Sequence, residues 1–139
     1  GEVSHDPMNH QIMVEQREAK VQKVVEFIPE QEVIGAPEGD LLVVGWGGTY
    51  GAIVSAVNDL REEGKSISLA QFNYINPLPK NTGDILKRFK KIIVCELNSG
   101  QFAKILKIHF GGVTFLQYNK IQGLPFGNDE LVQKFKNYL

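Results

Sequence analysis

A single cysteine, Cys95, stands among 139 residues, which rules out a disulfide within the chain and leaves no cysteine-ligated zinc or iron–sulfur centre. Any such cluster has to sit on another chain. No apolar run approaches the roughly 20 residues that cross a bilayer, and residues 1–11 are polar without a signal-peptide pattern, so a cytoplasmic protein is expected. Charge of one sign is missing too. Fifteen Lys and Arg stand against sixteen Asp and Glu, dispersed along the chain, for a net charge of −1. Phosphate neutralisation needs clustered basic residues, so neither a dedicated nucleic-acid binder nor an electrostatic membrane anchor is expected. A chain of this length buries roughly 68–70% of its unfolded surface on folding, enough for one core and not for two.

What is present falls into two parts, with a composition change between residues 29 and 40. Asp6 before Pro7 is a helix start, since the Asp side chain accepts free amides and Pro tolerates the first helical position. Ile12, Ala19, Val21, Val24 and Val25 then give a partial apolar stripe among charges, predicting an amphipathic helix over 7–27 that Pro29 ends. Residues 1–30 are read as a helical arm leading to further domains, and 31–139 as an α/β body. The first residue is Gly, as expected of a segment of a longer protein or of a trimmed tag.

In the body, short apolar runs alternate with helical segments. Strands are predicted at 41–46, 67–72, 92–95 and 114–118, with a short strand at 32–34. Helices are predicted at 52–63, 82–90 (capped by Thr82), 101–110 (capped by Ser99) and 129–138 (capped by Asn128). The strand runs lack alternation, which indicates a sheet covered on both faces. The expected fold is a three-layer α/β/α sandwich.

Three loops are candidates for chemistry. Gly45-Trp46-Gly47-Gly48-Thr49-Tyr50-Gly51 leaves a strand and enters a helix, where anion-binding loops occur. Its third glycine falls one residue late for the dinucleotide fingerprint, the acid expected after the second strand is absent, and no Lys-Ser/Thr pair follows. Amides of Gly47, Gly48 and Gly51, with Thr49 and Tyr50, remain candidates for holding a carboxylate or phosphate. Trp46 and Tyr50 are read as filling an interface or crevice mouth. The second loop, Glu96-Leu97-Asn98-Ser99, lies beside the first if the winding direction reverses between the strands that precede them. Glu96 and Asn98 then either act on a ligand, cap the following helix or meet a partner. The third, carrying Tyr74, Asn76, Pro77, Leu78 and Pro79, is stiffened by prolines and is read as an interface element. Cys95 reads as an inert buried thiol. His5, His10 and His109 suggest no metal site, and Lys87-Arg88-Phe89-Lys90-Lys91 reads as a solvated helix end.

The runs Asp40–Ala52 (DLLVVGWGGTYGA), Asn76-Pro77-Leu78-Pro79-Lys80-Asn81, Glu96-Leu97-Asn98-Ser99-Gly100-Gln101 and Lys120-Ile121-Gln122-Gly123-Leu124-Pro125-Phe126 resemble the C-terminal end of the α subunit of 2-oxoacid:ferredoxin oxidoreductases, in particular the 2-oxoglutarate type. Ser4-His5-Asp6-Pro7 and the charged helix after it resemble the segment joining that end to the preceding domain. Gly48 departs from the pattern, where Ser is common. The resemblance implies a transketolase C-terminal-like domain with a mostly parallel five-stranded sheet, residues 32–34 forming its short antiparallel edge strand. It further implies a parent enzyme that turns 2-oxoglutarate, CoA and oxidised ferredoxin into succinyl-CoA, CO₂ and reduced ferredoxin. Thiamine diphosphate, Mg²⁺ and a [4Fe–4S] cluster would be carried mainly by a β subunit. In such enzymes this domain supplies no catalytic side chain. The isolated chain is therefore expected to be inactive, with the β subunit and upstream α-subunit domains as partners. The alternative is an anion- or CoA-binding module built on the loops 45–51 and 96–100.

Overall fold

A computed structural model describes all 139 residues. Asp6 caps α1 (Pro7–Lys23) as its sequence requires, accepting the Met8 amide at 2.9 Å. The helix then tightens into a 3-10 turn at Val24–Glu26, short of the predicted end at 27. Every residue of α1 is exposed.

The body alternates strand and helix. β1 (Gly39–Trp46) is followed by α2 (Tyr50–Glu62), β2 (Ile67–Phe72) by α3 (Thr82–Leu86), β3 (Phe89–Glu96) by α4 (Gln101–His109), and β4 (Phe115–Asn119) by α5 (Asn128–Lys136). The strands are all parallel, in the order β2-β1-β3-β4. Central β1 pairs on both sides, Val43 standing opposite Leu69 and Ile93. Its side chains alternate between two cores. Leu41 and Val43 pack with Ile53, Leu60, Leu131 and Phe135 of α2 and α5, whereas Leu42 and Val44 pack with Leu86, Phe102 and Leu106 of α3 and α4. Each such buried side chain contributes about 1.5–3 kcal/mol. The three-layer sandwich is thus the expected one, with residues i and i+1 of each strand equally apolar because both faces are covered.

The sheet has four strands rather than five. At the expected edge strand only Ile34 pairs, antiparallel to Leu69, with N–H to O distances of 2.8 and 2.9 Å. Gly35, at φ +116°, turns the chain away immediately afterwards. Side chains anchor the preceding residues in place of a ladder: Asn81 exchanges two 2.9 Å bonds with the Gln31 backbone, and the Gln31 side-chain Nε2 donates to the Gln71 carbonyl.

Residues 82–90 do not form one helix. Phe89 enters β3 opposite Gly39 and is buried, so α3 stops at Leu86. The basic run therefore lies on a strand start, where Lys90 pairs with Asp40 at 2.7 Å and Lys91 donates to the Tyr138 carbonyl. Asn81, not Thr82, precedes α3; Thr82 is buried and its hydroxyl donates to the Pro79 carbonyl at 2.7 Å. Asn128 begins α5 instead of capping it, its amide donating to Asp59 on α2. No helix is long and apolar enough to cross a membrane.

Candidate functional site

Parallel pairing brings the carboxyl ends of all four strands to one edge, and the reversal of winding between β1 and β3 sets the loops that follow them side by side. The contact is direct. The Trp46 indole N–H donates to Glu96 Oε1 at 3.1 Å. Trp46 packs edge-on against Phe102, with ring centroids 6.4 Å apart, and Phe102 packs edge-on against Phe72 at 5.1 Å.

Glu96 is fully buried at the end of β3 and points at the start of α4. Its Oε1 also accepts the Phe102 amide at 2.8 Å, and Oε2 accepts the Ala103 amide at 3.0 Å. Those amides are the unpaired donors at the positive end of a helix, where an anion is favoured. Here the anion is built in. Asn98 completes the arrangement, its side-chain oxygen accepting the Gly100 and Gln101 amides at 2.9 Å each. Capping of α4 thus falls to Glu96 and Asn98 rather than to Ser99, which is exposed. Gly100 has to be glycine: its φ is +79°, and a Cβ would stand 2.2 Å from the Gln117 side chain.

The other loop is less committed. Thr49 is buried and its hydroxyl donates to the Trp46 carbonyl at 2.9 Å, which takes it out of the anion-holding set. Gly47, Gly48 and Gly51 are exposed with open space around their Cα atoms, and no side chain caps α2. Gly47, Gly48 and Thr49 face Leu97 and Asn98 across a hollow of about 210 Å³.

A larger groove of about 610 Å³ lies next to it, which the sequence did not reveal. Tyr50 and Tyr74 line it together with Glu30, Glu32 and Gln71. The 73–81 loop divides between roles: Tyr74 and Asn76 are exposed, Pro77 is half-buried, Leu78 packs against the core on the α3/α4 side, and Pro79 is buried. Half of this expected interface loop therefore serves its own body.

A third cluster closes the far end of the edge. Lys120 donates to Glu130 Oε2 at 2.7 Å and to the Pro125 carbonyl at 2.9 Å, Tyr118 donates to Glu130 Oε1, and Tyr118 stacks on Phe126. Together they fold the Lys120–Phe126 run into a loop whose tip carries exposed Ile121 and Leu124. Lys120 beside it, with the Tyr118 and Gly127 hydrogen bonds, holds the Glu130 carboxyl down at about 2. Burial, with the neighbouring carboxylate, pushes the Tyr118 phenol up to about 12. The one clue in sequence is Glu130 three residues after Gly127, the spacing of a capping box, and its carboxylate does accept the Gly127 amide at 3.1 Å. Cys95 is fully buried and burial raises its thiol pKa, which leaves it unreactive. No three His, Cys, Asp or Glu side chains gather at metal-binding distance.

No family profile matches the chain. It is 38% identical over 133 residues to 2-oxoglutarate oxidoreductase subunit KorA of Mycobacterium tuberculosis, covering 94% of this chain and 20% of that subunit. The structure of 2-oxoglutarate:ferredoxin oxidoreductase from Magnetococcus marinus, with 2-oxoglutarate, coenzyme A and succinyl-CoA bound, superposes at a TM-score of 0.89 and 28% identity, over 99% of this chain and 24% of that one. The chain is homologous to part of a 2-oxoacid:ferredoxin oxidoreductase α subunit. It spans about a fifth of the length of the curated relatives it matches. A split-gene transketolase shares the fold at a TM-score of 0.51 and 11% identity, over 77% of this chain and 36% of that chain.

Proposed function

We propose that this chain is a structural and assembly domain of the α subunit of a thiamine-dependent 2-oxoacid:ferredoxin oxidoreductase, acting on 2-oxoglutarate. One observation carries the non-catalytic part of this reading. The crevice at the switch point, where a sheet of this kind usually takes its ligand, is narrowed by Trp46 to a hollow of about 210 Å³, and the anion position at the start of α4 is taken by Glu96. What remains outside is loop surface, suited to contacts that hold a neighbouring active site in register. Such register matters because small misplacements of reacting groups are costly in rate.

In this reading residues 1–30 are an arm toward upstream domains and 31–139 a transketolase C-terminal-like body. The parent enzyme makes succinyl-CoA, CO₂ and reduced ferredoxin in the cytoplasm. Thiamine diphosphate, Mg²⁺ and the [4Fe–4S] cluster belong to the β subunit and the remaining α-subunit domains. This chain's one cysteine faces the core and offers no donor set for a cluster. The names of the relatives support the choice of 2-oxoglutarate. The purified chain should reduce neither ferredoxin nor a viologen dye with 2-oxoglutarate and CoA; measurable reduction overturns the assignment.

A second reading rests on the hollow between Gly47–Thr49 and Leu97–Asn98, with its exposed glycines and uncapped helix start. It makes the loops 45–51 and 96–100 an anion or CoA site. Calorimetry with CoA, thiamine diphosphate and 2-oxoglutarate separates the two. Heat with CoA at millimolar concentration supports the binding module, and its absence removes it.

A further inference from the structure

Exposed large apolar side chains concentrate in two places. Apart from Ile108 and Leu139, all of them lie in residues 1–30 or at the carboxyl edge of the sheet. On α1, Met13, Val14 and Val21 fall within one side of the helix, at spacings of one and seven, and Val24 in the turn after it continues that side, while Met8 and Ile12 lie away from it. At the edge, Tyr50, Tyr74, Leu97, Ile121 and Leu124 follow the four strands in turn, with Leu124 61% exposed. The two places are continuous. Phe27, 87% exposed, ends the arm, and Pro29 and Glu30 next to it form the wall of the groove that Tyr50 and Tyr74 line.

The body ties down the end of the arm, where Lys80 pairs with Glu26, and the position of the whole arm is shared. No side chain of α1 is buried, and a 17-residue helix without tertiary contacts is only marginally stable in water. The arm makes up about a fifth of the chain, so a TM-score of 0.89 over 99% of it requires that the Magnetococcus marinus protein hold the arm in the same direction. That protein does so within a polypeptide of which the matched part is only 24%. Charge narrows the choice of occupant. Glu30 and Glu32 line the groove without an ion pair, which suits a covering surface that brings positive charge.

We propose that the α1 stripe and the carboxyl edge are one continuous docking face, occupied by another domain of the same α-subunit polypeptide. That domain presents apolar side chains to Val14, Val21, Leu97 and Leu124 and a Lys or Arg to the Glu30–Glu32 groove, between the rings of Tyr50 and Tyr74. The proposal rests on the α-subunit reading above and adds which face is covered, and by what.

The test replaces the matched quarter of the Magnetococcus marinus α chain with this chain and follows hydrogen exchange of the α1 amides. In the isolated chain they should exchange without protection. In the assembled chimera they should slow by 100-fold or more. Val14→Glu with Val21→Glu, or Leu97→Glu with Leu124→Glu, should each abolish that slowing; all four sites are exposed, the first two on a helix that Glu suits and the others in loops. Unprotected arm amides in a chimera that reduces dye with 2-oxoglutarate overturn the docking face and leave the function standing. Protected amides in an inactive chimera do the reverse. Should the chimera fail to fold, the isolated chain is mixed with the Magnetococcus marinus chain lacking that quarter and followed by light scattering. Micromolar association, weakened tenfold or more by the same substitutions, supports the proposal. No association, association indifferent to them, or a homodimer of the isolated chain that they dissolve overturns it.

Discussion

The buried carboxylate of Glu96 accepts the indole N–H of Trp46 at 3.1 Å, tying the end of β3 to the end of β1 across the switch point of the sheet. The same carboxylate takes the free Phe102 and Ala103 amides in the first turn of α4. One side chain thus joins two strands and a helix, and occupies the anion position at the start of α4.

Replacing it should be costly. Glu96→Ala strands two buried amides and the part-buried Trp46 indole, each worth about 1–3 kcal/mol when left unpaired, so a loss of roughly 3–5 kcal/mol is expected in urea unfolding. Glu96→Gln keeps the shape and one good acceptor and should recover about half of that loss. Trp46 is the only tryptophan, so its emission should shift to the red in the Ala variant. An unchanged urea midpoint for Glu96→Ala would refute the capping role.

Stability should fall at both extremes of pH through the Glu130–Tyr118 pair. Glu130 titrates at about 2 when folded against 4.5 unfolded, so its contribution is complete above pH 4.5 and disappears as pH falls toward 2. Tyr118 is the opposite case. Its folded value near 12 against 10 gives stability that is complete below pH 10 and lost as pH rises toward 12. The difference in melting temperature between wild type and Glu130→Gln should be largest near neutrality and shrink toward pH 2. A constant difference across that range contradicts the assignment.

Two glycines of one loop should respond in opposite ways. A Cβ at Gly45 would stand 2.6 Å from the Gln71 side chain and 2.7 Å from Ile53, inside the core, so Gly45→Ala should cost roughly 1–3 kcal/mol. Gly48 has nothing within 4 Å, so Gly48→Ser should change stability by less than about 0.5 kcal/mol. Chemical denaturation of both variants checks the pair; equal losses would mean that the loop is packed otherwise.

Cys95 should be silent until the protein unfolds. Its thiol is fully buried on the α2/α5 side of β3, and burial disfavours the thiolate. A disulfide exchange reagent should label no thiol in native buffer and one per chain in denaturant. Rapid native labelling would require local opening of β3.

Much of the fold was legible because its strands are unusually plain. Residues 67–72 are a strand with the predicted bounds, since a six-residue apolar run between two turns is too short for a buried helix. The loop positions beside β1 and β3 were legible for a topological reason, since a parallel sheet that reverses its winding must bring them together. Helix 82–90 was misjudged because Phe89 suits a helix end and a strand start equally, and only its pocket opposite Gly39 decides.

The chain's local pattern determines its layers, its parallel strands and the absence of a thiol-ligated centre, because those depend on periodicity and composition. Tertiary structure decided what the polar residues at the edge do. Glu96 could have served a ligand, a partner or a helix, and nothing within the loop separates these. The choice was made by the 2.8 and 3.0 Å distances to two amides six and seven residues on, which exist only once α4 has packed against β3. The same holds for the arm. Its cap and length are written in residues 6–23, but that its apolar side meets nothing in this body became visible only when the body was complete.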